Sequence, residues 1–335
     1  YTRENDLVVD PFCGSGTTAV ESQRLGRCAT GIDINPVSIL IARAKCVAMP
    51  ADAIESSLDR YWKTLIQEAS NGLTSKEIYE IIPESVQAEK WYHPKTLEGL
   101  AIIWRFLQNR RGAMLPILQA AFSSILQQAC NENRHWGYIC NNTNPVSIKV
   151  VDALKLYGMA LNAFKEAYAL RDMYLTPEPE HSPIEEVILL HQDAKQAMKQ
   201  MADGSIDLVI TSPPYFGVCD YVKAQRLSME WFGWNISEFR QLEIGARSKR
   251  HRRTADHDYV SELNEVLFAM NKVLKRGGHA AFVFGESKSR ASVLEQFRNG
   301  LNNHFSLIFE TCRTVPAQRR QHPSLSEEWV FVAKK

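Results

Sequence analysis

The sequence predicts an α/β protein: a doubly wound sheet interrupted by a long, mostly helical insertion. Three observations predict it. The first fifty residues alternate strand, turn, helix, strand and helix. The same alternation resumes after a proline-rich stretch near residue 180, and the segment between carries apolar residues at helical spacing with few strand signals.

The elements follow in order. Leu7-Val8-Val9 is a short apolar run ending at Asp10-Pro11, and Cys13 to Gly16 supplies a glycine-bearing turn. Thr17 to Leu25 has helical spacing, with Gly26 placed as its C-terminal stop. Cys28 to Ile34 is a second strand, and Asn35-Pro36 caps and starts another helix with proline in its tolerated first turn. Leu100 to Leu107, Met114 to Leu126 and Leu154 to Leu170 read as helices of the insertion, and Thr176 to Pro183 reads as a linker. Val187 to Leu190 and Ile206 to Ile210 are strands. His279 to Phe284 is a third after the Gly277-Gly278 turn, Val293 to Leu301 is an amphipathic helix, and Leu307 to Phe309 and Trp329 to Val332 close the sheet. The expected division is 1–50, 51–183 for the insertion, and 184–335.

Composition narrows the function. Apolar residues make up 45% and charged residues 23%, ordinary globular usage that argues against wholesale disorder. The net charge of +1 gives no global attraction to a polyanion, so a nucleic-acid surface has to come from local clustering. No apolar run approaches the ~18–20 residues that span a bilayer. Seven Cys without a CxxC pair read as reduced thiols of an intracellular protein. Nine His without zinc spacing predict no metal. The chain opens on Tyr1 and is in a strand pattern by Leu7, which reads as a piece of something longer.

Two turns carry the chemistry. The first, Asp10-Pro11-Phe12-Cys13-Gly14-Ser15-Gly16-Thr17-Thr18, joins the first strand to the first helix. Glycine without Cβ lets a ligand lie against the backbone, and the helix N-terminus offers unpaired N–H groups. Asp33 at the end of the second strand is placed beside a ribose bound over that turn. Gly14-x-Gly16-x-x-Ala19 alone fits a dinucleotide fingerprint as well, or a tight turn that binds nothing. In the second, the strand Asp207 to Thr211 runs into Ser212-Pro213-Pro214-Tyr215, where two prolines fix the backbone at a strand's carboxyl end.

The first turn followed by Gly31-Ile32-Asp33-Ile34-Asn35-Pro36 resembles the cofactor motifs of S-adenosylmethionine-dependent DNA amino-methyltransferases, and Ser212 to Tyr215 resembles their (D/N/S)PPY motif. The resemblance covers about residues 5–50 and 185–335. It implies a class I methyltransferase sheet of seven strands, Rossmann-like, with an antiparallel last strand supplied by a hairpin near Glu327 to Val332. It also implies an S-adenosylmethionine site formed by Asp10, Phe12, Gly14, Gly16, Thr17, Asp33, Ile34 and an acid after the third strand. That acid is Asp193, favoured over Asp152; for either, a helix N-cap is the plain structural alternative. Ser212, Pro213, Pro214 and Tyr215 are the implied catalytic residues. An exocyclic base amine is a poor nucleophile, so two acceptors, Ser212 Oγ and the Pro213 carbonyl, have to draw on its hydrogens while the Tyr215 ring stacks on the base. Serine at the first motif position resembles the cytosine-N4 enzymes more than the adenine-N6 enzymes. Asp220 and Tyr221 are candidates for the base pocket, with a helix cap and a core aromatic as equal readings. Such enzymes often carry a segment ahead of the glycine motif, and here almost nothing precedes Leu7.

Arg247, Lys249, Arg250, Arg252 and Arg253, with Arg240 nearby and a single acid, Glu243, are the candidate DNA-phosphate contacts; a solvated basic face is the alternative. Arg313, Arg319 and Arg320 form a second cluster. The insertion is the candidate target-recognition region, with Trp91, Tyr92, Arg134 and Trp136 as exposed candidates. The implied partners are DNA and a cognate restriction nuclease or other defence-system subunit, and the implied place is the cytoplasm, with the nucleoid. An RNA guanine-N2 methyltransferase, a nicotinamide-dependent oxidoreductase and a non-catalytic nucleic-acid-binding module are the rival functions.

Overall fold

The computed structural model describes residues 1–132, 144–145, 148–174, 187–218, 220–246, 254–287, 291–316 and 325–335. They form two compact units, one from residues 1–42, 182–222 and 237–335, the other from residues 43–181 and 223–236. Residues 223–236, grouped by the sequence reading with the last third of the chain, therefore cluster with the helices of the insertion.

The chain begins with β1 (Leu7–Asp10), α1 (Thr17–Arg24), β2 (Cys28–Asp33) and α2 (Pro36–Lys45). Six helices follow: α3 (Ala51–Ala69), α4 (Ser75–Ile81), α5 (Ala88–Trp91), α6 (Pro94–Gln108), α7 (Leu115–Ala129) and α8 (Ala153–Tyr174). Then come β3 (Val187–His191), α9 (Ala194–Lys199), β4 (Ile206–Thr211), α10 (Tyr221–Ala224), α11 (Arg226–Trp231), α12 (Ile236–Leu242) and α13 (Ala255–Val273). The chain closes with β5 (Leu274–Ser287), α14 (Ala291–His304), β6 (Ser306–Thr314) and β7 (Leu325–Lys334).

The sheet has seven strands in the order β3-β2-β1-β4-β5-β7-β6, with β7 antiparallel to both its neighbours and the first five strands parallel. This is the class I methyltransferase arrangement. Leaving β1, the chain winds outward through β2 and β3, then returns to place β4 on the other side of β1. The two strands are in register at Val8 and Leu208 and at Val9 and Val209. That reversal opens a crevice at their carboxyl ends, where ligands of open α/β sheets bind.

Burial explains the strand composition. Val9, Ile32, Val209, Ala280, Phe282 and Phe331 are all fully buried and form the apolar centre of the sheet. Helix α13 lays Tyr259, Leu263, Val266, Leu267, Met270 and Val273 into this core at helical spacing. Phe297 of α14 stacks on Phe284 with centroids 4.5 Å apart. The expected Gly277-Gly278 turn lies inside β5 as a bulge: Ile206 faces Leu274 while Leu208 already faces His279.

The helical unit has its own aromatic core. Trp104, Phe122, Trp231 and Phe232 meet with centroids 5.1–6.4 Å apart, mostly edge to face. Trp91 and Tyr92 belong to this interior at 0% and 2% exposure, and Trp231 Nε1 donates to the Tyr92 hydroxyl at 3.1 Å. Their expected exposure is thereby corrected: both rings are taken up in the apolar packing of this core, where the Tyr92 hydroxyl also finds a protein partner. Arg134 and Trp136 lie outside the described residues. Among the described residues, no helix is long and apolar enough to cross a membrane, and no group of His, Cys, Asp or Glu is placed to hold a metal ion.

The glycine turn is held by backbone conformation. Gly16 caps α1 in the left-handed region at φ 83°, and a Cβ there would stand 2.7 Å from Ala42 Cβ. Gly14 is also left-handed, at φ 51°, but a Cβ would meet nothing within 4 Å. Gly16→Ala is expected to lower unfolding free energy by about 2 kcal/mol or more, through left-handed strain plus overpacking. Gly14→Ala carries only the strain, about 1–2 kcal/mol. Urea denaturation of the two variants checks the difference; equal losses would remove the Ala42 contact from the account.

Candidate active site

A cavity of about 460 Å³ opens at the carboxyl ends of β1 and β4. Its walls hold ten of the twelve residues singled out for the cofactor and the reaction: Asp10, Phe12, Gly14, Thr17, Asp33, Ile34, Asp193, Ser212, Pro214 and Tyr215. Gly16 stands behind this wall, where it starts α1. Pro213 is not among the lining residues but joins two that are. Arg247, Lys249, Arg250, Arg252, Arg253, Arg319 and Arg320 lie outside the described residues.

Asp10 ties the site together. Its Oδ1 accepts from Thr211 Oγ1 at 2.6 Å and from the Phe12 N–H at 3.1 Å, and its Oδ2 accepts from Thr18 Oγ1 at 2.6 Å. The side chain is buried, and desolvation raises its pKa against the pull of these hydrogen bonds. Asp10 therefore fixes the turn, the first helix and the end of β4 to one another.

Asp33 ends β2 at the same cavity. Its Oδ2 accepts from the Gly14 N–H at 2.9 Å and its Oδ1 from the Asn35 N–H at 2.8 Å. Burial lifts its pKa to about 6, with the Asp10 charge adding to the rise and the two backbone hydrogen bonds opposing it. Beside it, His191 Nε2 lies 3.0 Å from the Ile34 carbonyl. Asp193 lines the cavity and also caps α9, accepting from the Gln196 N–H at 3.0 Å. Asp152, the alternative acid, caps α8 in the helical unit by accepting from the Lys155 N–H at 2.9 Å.

The Pro-Pro-Tyr turn forms the opposite wall. Ser212 Oγ lies 3.1 Å from both the Val283 carbonyl and the Tyr215 hydroxyl, and Tyr215 donates to Glu328 Oε1 at 3.0 Å. Tyr259 Oη donates to the Pro214 carbonyl at 2.7 Å, fixing the backbone after the two prolines. The Tyr215 ring, expected to be a stacking surface for the base, lines the cavity but is only 5% exposed and packs with Val218. Its hydroxyl is anchored inward, which explains the burial, and desolvation pushes its pKa up to about 12.

Several residues of this site were not singled out from the sequence. Thr18 and Thr211 look like ordinary helix and strand residues until Asp10 joins them. Glu243 reads as the lone acid of a basic stretch, yet it is buried, lines the cavity and accepts from the Tyr221 N–H at 2.5 Å. Tyr221, named from the sequence as a candidate, lines the cavity as well. Arg313 is paired with Glu328.

The fold is that of the class I methyltransferases, and the cavity lies at its switch point. Residues 1–43 match the family model for DNA methylases. The chain is similar to the Type II methyltransferase M.BsoBI of Geobacillus stearothermophilus, 24% identical over 92% of this chain and 67% of that protein. It is also similar to M.MjaII of Methanocaldococcus jannaschii, 21% identical over 85% of this chain and 67% of that one. A solved methyltransferase of Methanosarcina mazei overlays with a TM-score of 0.39 at 10% identity, covering 100% of this chain and 94% of its own. These likenesses support a DNA amino-methyltransferase family, with S-adenosylmethionine as its cofactor.

The cavity fits that cofactor. The Asp33 carboxylate lines the cavity beside Gly14, where it would serve as an acceptor for ribose hydroxyls, and the space a Cβ would take at Gly14 is open. With Asp33 titrating near 6, the acceptor form is lost as pH falls through that value. Cofactor affinity is expected to weaken below about pH 6, toward about tenfold per pH unit. Isothermal titration across this range checks it, with Asp33→Asn expected to bind weakly and with no such slope. A slope surviving in Asp33→Asn would assign the titration to another group.

Proposed function

We propose that this protein methylates the exocyclic N4 amine of cytosine in DNA. One observation carries the reading: the Asp33–Gly14 wall and the Ser212–Tyr215 wall face a single cavity across adjacent strands. A donor held at one wall can thus meet an amine held at the other.

When bound, S-adenosylmethionine supplies an electrophilic methyl on sulfonium sulfur. Asp33 orients the ribose, and Phe12, Ile34 and Asp193 line the adenosine and methionine parts. Ser212 Oγ and the Pro213 carbonyl accept the hydrogens of the target amine and turn its lone pair toward the methyl. The Tyr215 ring walls the base in. Positioning of this kind is the chain's main catalytic contribution, and amine methylation needs no covalent bond between enzyme and base. In a duplex the base has to leave the stack, at an expense of a few kcal/mol. Ser212 favours cytosine because its neutral hydroxyl resembles the cytosine-N4 motif; the same hydroxyl can serve adenine N6, the second reading.

The helical unit is the proposed target-recognition region, and Arg247, Lys249, Arg250, Arg252 and Arg253 the proposed phosphate contacts. The Type II names of the relatives support a cognate nuclease as the partner class.

Tritiated cofactor, DNA and RNA test the reaction, followed by digestion to nucleosides and mass spectrometry. N4-methylcytosine is expected in DNA. N6-methyladenine would move the target base, and label in RNA or in neither polymer would overturn the reading. Tyr215→Ala is expected to slow transfer about a hundredfold or more while cofactor affinity changes little. Equal losses would make the ring structural. Charge reversal across Arg247 to Arg253 is expected to flatten the salt dependence of DNA binding. An unchanged salt slope would take this stretch out of the interface.

A further inference from the structure

Glu328 is not among the residues lining the cavity, yet it reaches the catalytic turn from β7. Because β7 runs antiparallel to β5, it enters the sheet at the end where β4 finishes, and Glu328 falls opposite Gly285 on one side and Arg313 on the other. Its carboxylate divides its two oxygens. Oε1 accepts from the Tyr215 hydroxyl at 3.0 Å, and Oε2 accepts from Arg313 Nε at 3.0 Å and Nη2 at 2.7 Å. The Glu328 side chain is only 15% exposed.

The direction of each hydroxyl hydrogen follows. Tyr215 has one, and the carboxylate offers only acceptors, so that hydrogen points to Glu328. The Tyr215 oxygen then keeps its lone pairs for Ser212. Ser212 also has one hydrogen, and its two neighbours at 3.1 Å, the Tyr215 oxygen and the Val283 carbonyl, both accept. With its hydrogen committed inside the protein, Ser212 Oγ has lone pairs to present to the cavity.

We propose that Glu328 is a positioning residue of the catalytic turn, acting through Tyr215. It sets the hydroxyl relay Ser212–Tyr215–Glu328 so that Ser212 meets the target amine as an acceptor, and it holds the Tyr215 ring at the cavity wall. Arg313 secures the carboxylate by a two-point contact. The inference rests on the methyltransferase reading above; no proton is transferred along the relay.

Single-turnover methyl transfer to DNA, measured beside cofactor affinity, tests it. Glu328→Ala and Tyr215→Phe are each expected to slow transfer by about tenfold to a hundredfold, the worth of one hydrogen bond to a charged group. Cofactor affinity should stay within about twofold, which a collapsed fold would not allow. The double variant is expected to be no slower than the worse single variant, since both remove the same bond. Glu328→Gln, which keeps an acceptor oxygen toward Tyr215, should fall between wild type and Glu328→Ala. Multiplying losses in the double variant, or Gln as slow as Ala, would overturn the positioning role and leave the methyltransferase reading standing. A wild-type protein that transfers no methyl to DNA would overturn both.

Discussion

The site depends on one buried carboxylate. Asp10 is the last residue of β1, and three donors converge on it from the glycine turn, α1 and β4. Burying an acid is costly, which is why its pKa rises, and a hydrogen bond to a charged group returns only about 1.5–3 kcal/mol. A single bond would leave such a group poorly compensated; three bonds, two of them at 2.6 Å, offset part of the desolvation, and the pKa still stands above the ordinary value. The arrangement locks two turns that are distant in sequence. The glycine turn and the strand that leads into Ser212 share the same acceptor, so neither can shift without breaking its bond to Asp10.

The sheet topology turns this local tie into a binding site. Reversal of winding between β3 and β4 leaves the carboxyl ends of β1 and β4 side by side, with the crevice between them. Antiparallel β7 adds what a wholly parallel sheet would lack at that end, a side chain entering from the far strands. Glu328 reaches Tyr215 in this way, while Tyr259 of α13 holds the Pro214 carbonyl. The Pro-Pro-Tyr turn is therefore held from β5, β7 and α13 at once, which suits the proposed reaction, whose rate depends on the alignment of groups more than on their acidity.

The helical unit follows a different logic. Its aromatic residues lie at helical spacing and pack against each other, with Trp231 and Phe232 joining from a segment more than a hundred residues downstream of α6. Rings such as Trp91 and Tyr92 are consumed by this core, so whatever surface the unit presents is made by other side chains.

How much of this was legible in the sequence depends on the range of the cause. The strand–turn–helix opening, the Gly16 cap, the Gly26 stop and the rigid Pro213-Pro214 turn were readable because glycine, proline and apolar periodicity act over a few residues. Their order along the chain also announced a doubly wound sheet and the two motifs that resemble the methyltransferases. The partners that give those motifs their geometry were not readable. Thr211 lies 201 residues from Asp10, and Glu328 lies 113 from Tyr215. An ordinary threonine and one of two adjacent glutamates carry no local mark of such a role. The burial of the Tyr215 ring, the enclosure of Glu243 and the loss of Trp91 to a core are equally products of packing. The sequence determined which backbone turns form and which chemistry they can offer. The tertiary structure alone decided which side chains close on them, because hydrogen-bond partners far apart in the chain are chosen only when the sheet brings its strand ends together.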